Sequence, residues 1–197
     1  MTERKLWVAL RPVFQGLELD AHRVENGLGR GMPDVNYTHG WVELKQVAGW
    51  PKDEARPLKI PALESEPQQV AWLMRRWAAG GLCWIMLRVG KGPTQELLLF
   101  SGWDARLVRQ GSSREALYQL AVWSSRFGHS EEPTLKRVLS GDWESLPAPT
   151  RAKLLRLRCL SSVETTALKL GWSPDEVRDG ERYQTWRTND LLDHWLA

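Results

Sequence analysis

Residues 41–47 read WVELKQV, and in an extended segment side chains alternate between two sides. Trp41, Glu43, Lys45 and Val47 therefore share one side, while Val42 and Leu44 share the other. PDVNYT ahead of this stretch carries strand-like alternation, and a tight turn at Thr38-His39-Gly40 predicts an antiparallel hairpin. Before the hairpin, Leu6, Ala9, Leu10 and Val13 recur at helical spacing, which predicts a helix from Thr2 to about Phe14 whose end is blurred by Pro12. GLELDAHRVENGLGRGM then leads Glu25 into a turn rich in glycine (Gly27, Gly29, Gly31). After the hairpin, the polar, proline-bearing stretch WPKDEARPLKIPALESE predicts no regular element.

PQQVAWLMRRWAAGG predicts a helix with an apolar stripe of Val70, Leu73, Met74 and Trp77. Ser65 or Glu66 opens it, Pro67 suits its first turn, and Gly80-Gly81 stops it. LCWIMLRVG is an unbroken apolar run, the pattern of a strand buried on both faces. QELLLFSG, past a GKGP turn, predicts a further strand. From Asp104 the texture changes. SSREALYQLAVWSSRF, PAPTRAKLLRLRCL, SVETTALKLGW, SPDEVRDGERYQTW and NDLLDHWLA all have helical character. The expected organisation is an α/β part over residues 1–110, followed by an all-helical part over 111–197.

Composition narrows the function classes modestly. A chain of 197 residues suits one domain, or one domain with a helical extension. A net charge of +3 permits a nucleic-acid partner without demanding one. No apolar run is long enough for a membrane span, and MTERKLWVALRPVF lacks the apolar core of a signal peptide, so a cytoplasmic location is expected. Two distant cysteines, Cys83 and Cys159, argue against a disulfide framework, and the four histidines show no zinc spacing. Nothing calls for an organic cofactor. The twelve tryptophans point first to packing; Trp50 and Trp103, beside turn residues, also suit a base-stacking platform.

The chemistry-bearing residues concentrate on the hairpin. Glu43 and Lys45 lie roughly 7 Å apart along one side of their strand, and Asp34 opens the antiparallel neighbour within diagonal reach. Two carboxylates held close resist joint ionisation. A divalent cation relieves that conflict, and Mg2+ is commonly held by one or two carboxylates together with phosphate oxygens. A lysine beside it offsets charge that develops in the transition state. Plainer readings compete. Pro33-Asp34 also suits a turn, and Glu43 with Lys45 a solvated edge-strand pair. Glu25 suits a cap or ion pair, with Glu18 or Asp20 able to take its place, and Gln69 suits a solvent-facing helix position.

Pro33-Asp34, eight intervening residues and then Glu43-Leu44-Lys45 resemble the PD-(D/E)XK nuclease superfamily. RVENGLGRGMPDVN, GWVELK, Gln69 on a helix closed by Gly80-Gly81, and the apolar strand after it resemble the virus-type replication-repair (VRR-NUC) branch and phage Holliday-junction-resolvase-like proteins. The resemblance covers residues 4–101, about half the chain. It implies a restriction-endonuclease-like αβββαβ core with a C-terminal helical extension. It implies an Mg2+-dependent DNA endonuclease of phage or prophage origin, acting in a host cytoplasm on branched or flapped DNA in repair or recombination, with Mn2+ able to substitute. Asp34, Glu43 and the Leu44 carbonyl would hold the metal. Lys45 would position the attacking water, with Glu25 and Gln69 completing the site. A branched substrate calls for two active sites, so a symmetric homodimer is expected.

Further basic residues are candidates for phosphate contact: Lys52, Arg75 and Arg76, and the helix flank of Arg151, Lys153, Arg156 and Arg158. ALKLGWSPDEV (167–177) has the Ala-x3-Gly-x5-Val spacing of a helix-turn-helix. Ser173 equally suits an N-cap, and Asp175 and Glu176 suit a helix dipole better than a phosphate backbone. The alternative function is a non-catalytic DNA-binding or regulatory protein that uses a nuclease-like scaffold and reads DNA with this helical half.

Overall fold

The computed structural model describes residues 3–24, 31–53, 56–126, 132–158 and 173–177. Two compact units divide the chain, Met1–Gly141 and Asp142–Ala197. The first is a mixed α/β unit around a six-stranded, mostly antiparallel sheet. Helix α1 (Glu3–Gly16) leads into strands β1 (His22–Arg23), β2 (Val35–Tyr37) and β3 (Gly40–Val47). Helices α2 (Pro61–Ser65) and α3 (Pro67–Ala78) carry the chain to β4 (Leu82–Val89), and β5 (Glu96–Ser101) follows. Then come α4 (Ala105–Gln110), α5 (Arg114–Leu120), β6 (Trp123–Arg126) and α6 (Glu132–Ser140).

The strands lie in chain order. Every neighbouring pair is antiparallel except β3 with β4, which run parallel from Gly40↔Leu82 to Val47↔Val89. A parallel pair needs a long crossover, and the segment holding α2 and α3 supplies it. The Thr38-His39 turn closes the expected hairpin, with Val35↔Val42 and Asn36↔Trp41 as partners. Helix α1 runs through Pro12 to Gly16; the proline lies on the exposed side, where water can serve the carbonyl left unbonded.

Helix α3 starts at Pro67, buries Val70, Leu73 and Trp77, and ends as the N–H groups of Gly80 and Gly81 donate to Trp77 O and Arg76 O. Positive φ at Gly80 permits that close. Strand β4 is buried from Cys83 to Val89, and β5 throughout. Cys83 packs as a small buried group, its Sγ donating to Leu73 O.

Two elements depart from expectation. The stretch 50–66 is not featureless: Ile60 and Leu63 are buried, α2 forms over Pro61–Ser65, and Leu58 bridges to Ser112. The chain after residue 110 is not all helical either. The helix expected over 112–127 ends at Leu120, Ala121 takes extended backbone (φ −61°, ψ 133°), and β6 pairs with β5 through Leu99↔Trp123 and Leu98↔Ser124. Local propensity yields here to the open hydrogen-bonding edge of a buried strand.

In the second unit, α7 (Ala148–Arg158) buries Leu154 and Leu157. Residues 174–177 are helical, opened by a capping box: Ser173 Oγ accepts from Glu176 N, and Ser173 N donates to the Glu176 carboxylate, 2.6 Å away. The rest of the helix-turn-helix-like stretch and Cys159 lie outside the described residues. Among the described residues no helix is long and apolar enough to cross a membrane.

Candidate active site

Alternation along β3 delivers both sides of the strand to the interior. Val42 and Leu44 are fully buried, and so are Glu43 (0% exposed) and Lys45 (1%). Phe14 of α1 meets Tyr37 at a ring-centre distance of 6.4 Å, on the side shared by Val35 and Val42. Helix α3 covers the other side, where Trp72 meets Trp41 edge-on at 5.7 Å. The charged pair thus lies between the sheet and α3.

Lys45 Nζ stands 2.5 Å from Glu43 Oε1. Continuing the β2–β3 register by one residue sets Asp34 opposite Glu43. Asp34 Oδ2 accepts the Leu44 N–H at 2.9 Å, which holds its carboxylate against β3 at that level. N–H and C=O of one strand residue project toward the same neighbour. The Leu44 carbonyl therefore points to the edge where Asp34 sits, away from β4.

Helix α3 runs back along β3, so successive turns face successive positions of the strand. Trp72 lies over Trp41, and Glu66 Oε2 reaches within 4.0 Å of Lys45 Nζ. Gln69, one turn from each, falls at the level of Glu43. Its Oε1 is buried and has no hydrogen-bond partner among the described residues. Glu66 takes the N-cap position of α3 without using its side chain as a cap, so its carboxylate is turned to the lysine instead. The sequence showed Glu66 only as a helix opener. Its relation to Lys45 follows from the antiparallel run of α3 over β3, which a linear reading does not contain.

Glu25 lies outside the described residues. Gly31, with φ +87°, lies against the start of α3, where a Cβ would come within 2.8 Å of Gln68 O. Both the positive φ and the close approach require glycine. Glu18 pairs with Lys136 and Asp20 with His22, all on the surface.

The basic candidates separate. Lys52 is exposed on the loop after β3. Arg75 and Arg76 are exposed but sit nine and ten residues along from Glu66, ~14 Å by helical rise. They face phosphate, if any, at the far end of α3. On α7 the expected basic flank is not an exposed stripe. Lys153 and Arg156 are 6% and 8% exposed, drawn in beside Leu154 and Leu157 by their i, i+3, i+4 spacing. Arg151 and Arg158 are half-buried, and an Arg151 N–H donates to Glu144 O at 3.2 Å.

No three His, Cys, Asp or Glu side chains among the described residues cluster as a metal site. What lies between the sheet and α3 is two carboxylates, a backbone carbonyl on the same strand edge and a buried amide oxygen without a donor among the described residues. All are oxygen ligands, the kind a hard divalent cation takes. The donor set fits Mg2+ or Mn2+. Against known proteins the chain finds no counterpart: no family model, no curated protein and no solved structure matches it.

Proposed function

We propose that this chain is a metal-dependent DNA endonuclease, with α1, β1, β2, β3, α3 and β4 as an αβββαβ nuclease core and the second unit as its helical extension. One observation carries the reading: a fully buried Glu43–Lys45 pair, with Asp34 bonded to the Leu44 N–H beside it and α3 laid across it. A buried ion pair is a poor stabiliser, because desolvation offsets most of its attraction. Its presence beside a second carboxylate and a donorless amide oxygen is better explained by chemistry than by folding.

Asp34, Glu43 and the Leu44 carbonyl would hold the cation, which when bound supplies Lewis acidity toward a phosphoryl oxygen and eases deprotonation of water. The Lys45 ammonium sets a fixed positive charge where the pentacovalent phosphoryl group gathers negative charge, and it needs no rearrangement to do so. Gln69 Oε1 accepts a hydrogen from the attacking water and so aims its oxygen at phosphorus. A new P–O bond forms and the ester P–O bond breaks. The water proton passes to solvent, and the departing alkoxide is protonated. Branched or flapped DNA is the proposed preferred substrate, and a symmetric dimer the proposed assembly for cutting it.

The test is cleavage of junction, flap, duplex and single-stranded DNA with Mg2+ and with chelator, beside Lys45→Ala. Magnesium-dependent cutting lost in the variant is expected. Equal activity in the two proteins, or none under any condition from folded wild type, removes the reading.

A further inference from the structure

On the α3 side of the sheet a second cluster lies next to the charged pair. Val47 follows Lys45 on the same side of β3, Val89 pairs with Val47, and Glu96 pairs with Val89. Two residues along a strand and two strands across place Glu96 ~12 Å from Lys45. Glu96 is buried, and both its oxygens are engaged. Trp50 Nε1 donates to Oε2 at 2.6 Å, and Arg114 Nη2 donates to Oε1 at 2.7 Å. The Trp50 and Tyr118 rings stack with centres 6.0 Å apart and planes 27° from parallel. The Arg114 guanidinium carbon lies 5.2 Å from the Trp50 ring centre and 5.9 Å from that of Tyr118.

This group stays open to solvent: Tyr118 is 36% exposed and the Arg114 side chain 38%. The indole N–H and one guanidinium donor are tied to Glu96. The ring faces are thereby held in place, and the carboxylate is neutralised before any anion arrives. What remains presented is aromatic surface beside a guanidinium with unused donors. Those are the two elements that hold a base and its phosphate in sequence-tolerant single-strand binding.

We propose that Trp50, Tyr118 and Arg114 form a stacking site for a nucleobase of single-stranded DNA, the strand passing from there to Lys45. The second clause rests on the nuclease reading; the site itself does not. The guanidinium N–H groups that Arg114 does not give to Glu96 and the open ring of Tyr118 select this occupant.

The test measures binding by the full chain, in chelator so that nothing is cut, to a fluorescein-labelled oligothymidylate and to an abasic strand of equal length. Wild type is expected to prefer the base-bearing strand by about ten-fold, within the range of one stacked base. Tyr118→Ala loses that preference while keeping its affinity for the abasic strand, and Tyr118→Phe keeps both. Equal loss on the two strands, or no loss on either, overturns the site. If Tyr118→Ala does not fold, wild type decides alone, since equal affinity for the two strands overturns it as well. A protein that prefers bases but never cuts with Mg2+ leaves the site standing and removes the nuclease. A protein that cuts but does not distinguish the strands does the reverse.

Discussion

Strand β3 has two sides that are equally buried and chemically opposite. Val42 and Leu44 look toward α1 with Val35 and Tyr37, while Glu43 and Lys45 look toward α3, and none of the four β3 residues is more than 1% exposed. Burial alone therefore does not choose residue type in this strand. On the α1 side, hydrophobic transfer explains Val42 and Leu44. On the α3 side, two charges have been taken from water at a cost of several kcal/mol each before their mutual attraction is counted. Val42 and Leu44 gain from their burial, whereas Glu43 and Lys45 bear a desolvation cost. That contrast is what directs attention to Glu43 and Lys45 more than any spacing rule.

The contrast breaks most visibly at Lys45. Lys45→Met keeps the length of the side chain and removes its charge, stranding the Glu43 carboxylate beside Asp34. Stability is expected to fall by roughly 3–5 kcal/mol, read by urea denaturation. Cleavage, under the proposed function, should fall by about 100-fold or more. A Lys45→Met protein as stable as wild type would show that the pair is not the buried charge described here. Replacing both partners, as in Glu43→Leu with Lys45→Met, separates the two costs. The double variant should recover to near wild-type stability or exceed it by about 1–4 kcal/mol, yet remain unable to cut. A double variant no more stable than the single one would mean the pair does hold the fold.

The opposite side predicts the opposite pattern. Val42→Ala removes buried methyl groups from the α1 side and should cost about 2 kcal/mol. Cleavage per folded molecule should stay unchanged, measured at a temperature where both proteins are folded. A loss of catalysis larger than the loss of folded protein would show that the two sides are coupled through the backbone of Leu44.

Much of this division was readable in the residues. Alternation over 41–47 places Glu43 and Lys45 together, Pro67 and Gly80-Gly81 bracket α3, and the run from Cys83 to Val89 has the texture of the buried strand it forms. What escaped the reading depends on distant partners. β6 looks helical because Ser124 and Ser125 carry no strand signal of their own, and only the unpaired edge of β5 makes them extended. Lys153 and Arg156 look like a solvated flank until the Leu154–Leu157 stripe carries them inside. Glu66 and Gln69 are ordinary helix residues until the crossover lays α3 along β3. The group of Trp50, Glu96, Arg114 and Tyr118 joins a loop, a strand and a helix that are separate in the chain. Periodicity describes one element at a time, and each of these features belongs to two or more.

The smallest expected effect sharpens the comparison through pH. Tyr37, on the α1 side, donates to Leu139 O at 2.8 Å and accepts from Trp84 Nε1 at 2.8 Å. Burial pushes its phenol well above the ordinary tyrosine range, with the Trp84 hydrogen bond only partly opposing. An unfolded tyrosine ionises near pH 10, whereas the folded one keeps its proton at that pH. Above about pH 10 the unfolded state thus binds fewer protons than the native state, and stability falls with rising pH by up to ~1.4 kcal/mol per unit from this group. Tyr37→Phe should cost about 1 kcal/mol at neutral pH, through the two lost hydrogen bonds, and should lack this alkaline term. The gap between wild type and variant should therefore close between about pH 10 and 11, whatever the other groups do, because they titrate alike in both. Urea denaturation of the two proteins across that range gives the gap directly. Curves that stay parallel would mean that the Tyr37 hydroxyl reaches water, and that the α1 side is less dry than the α3 side to which it has been compared.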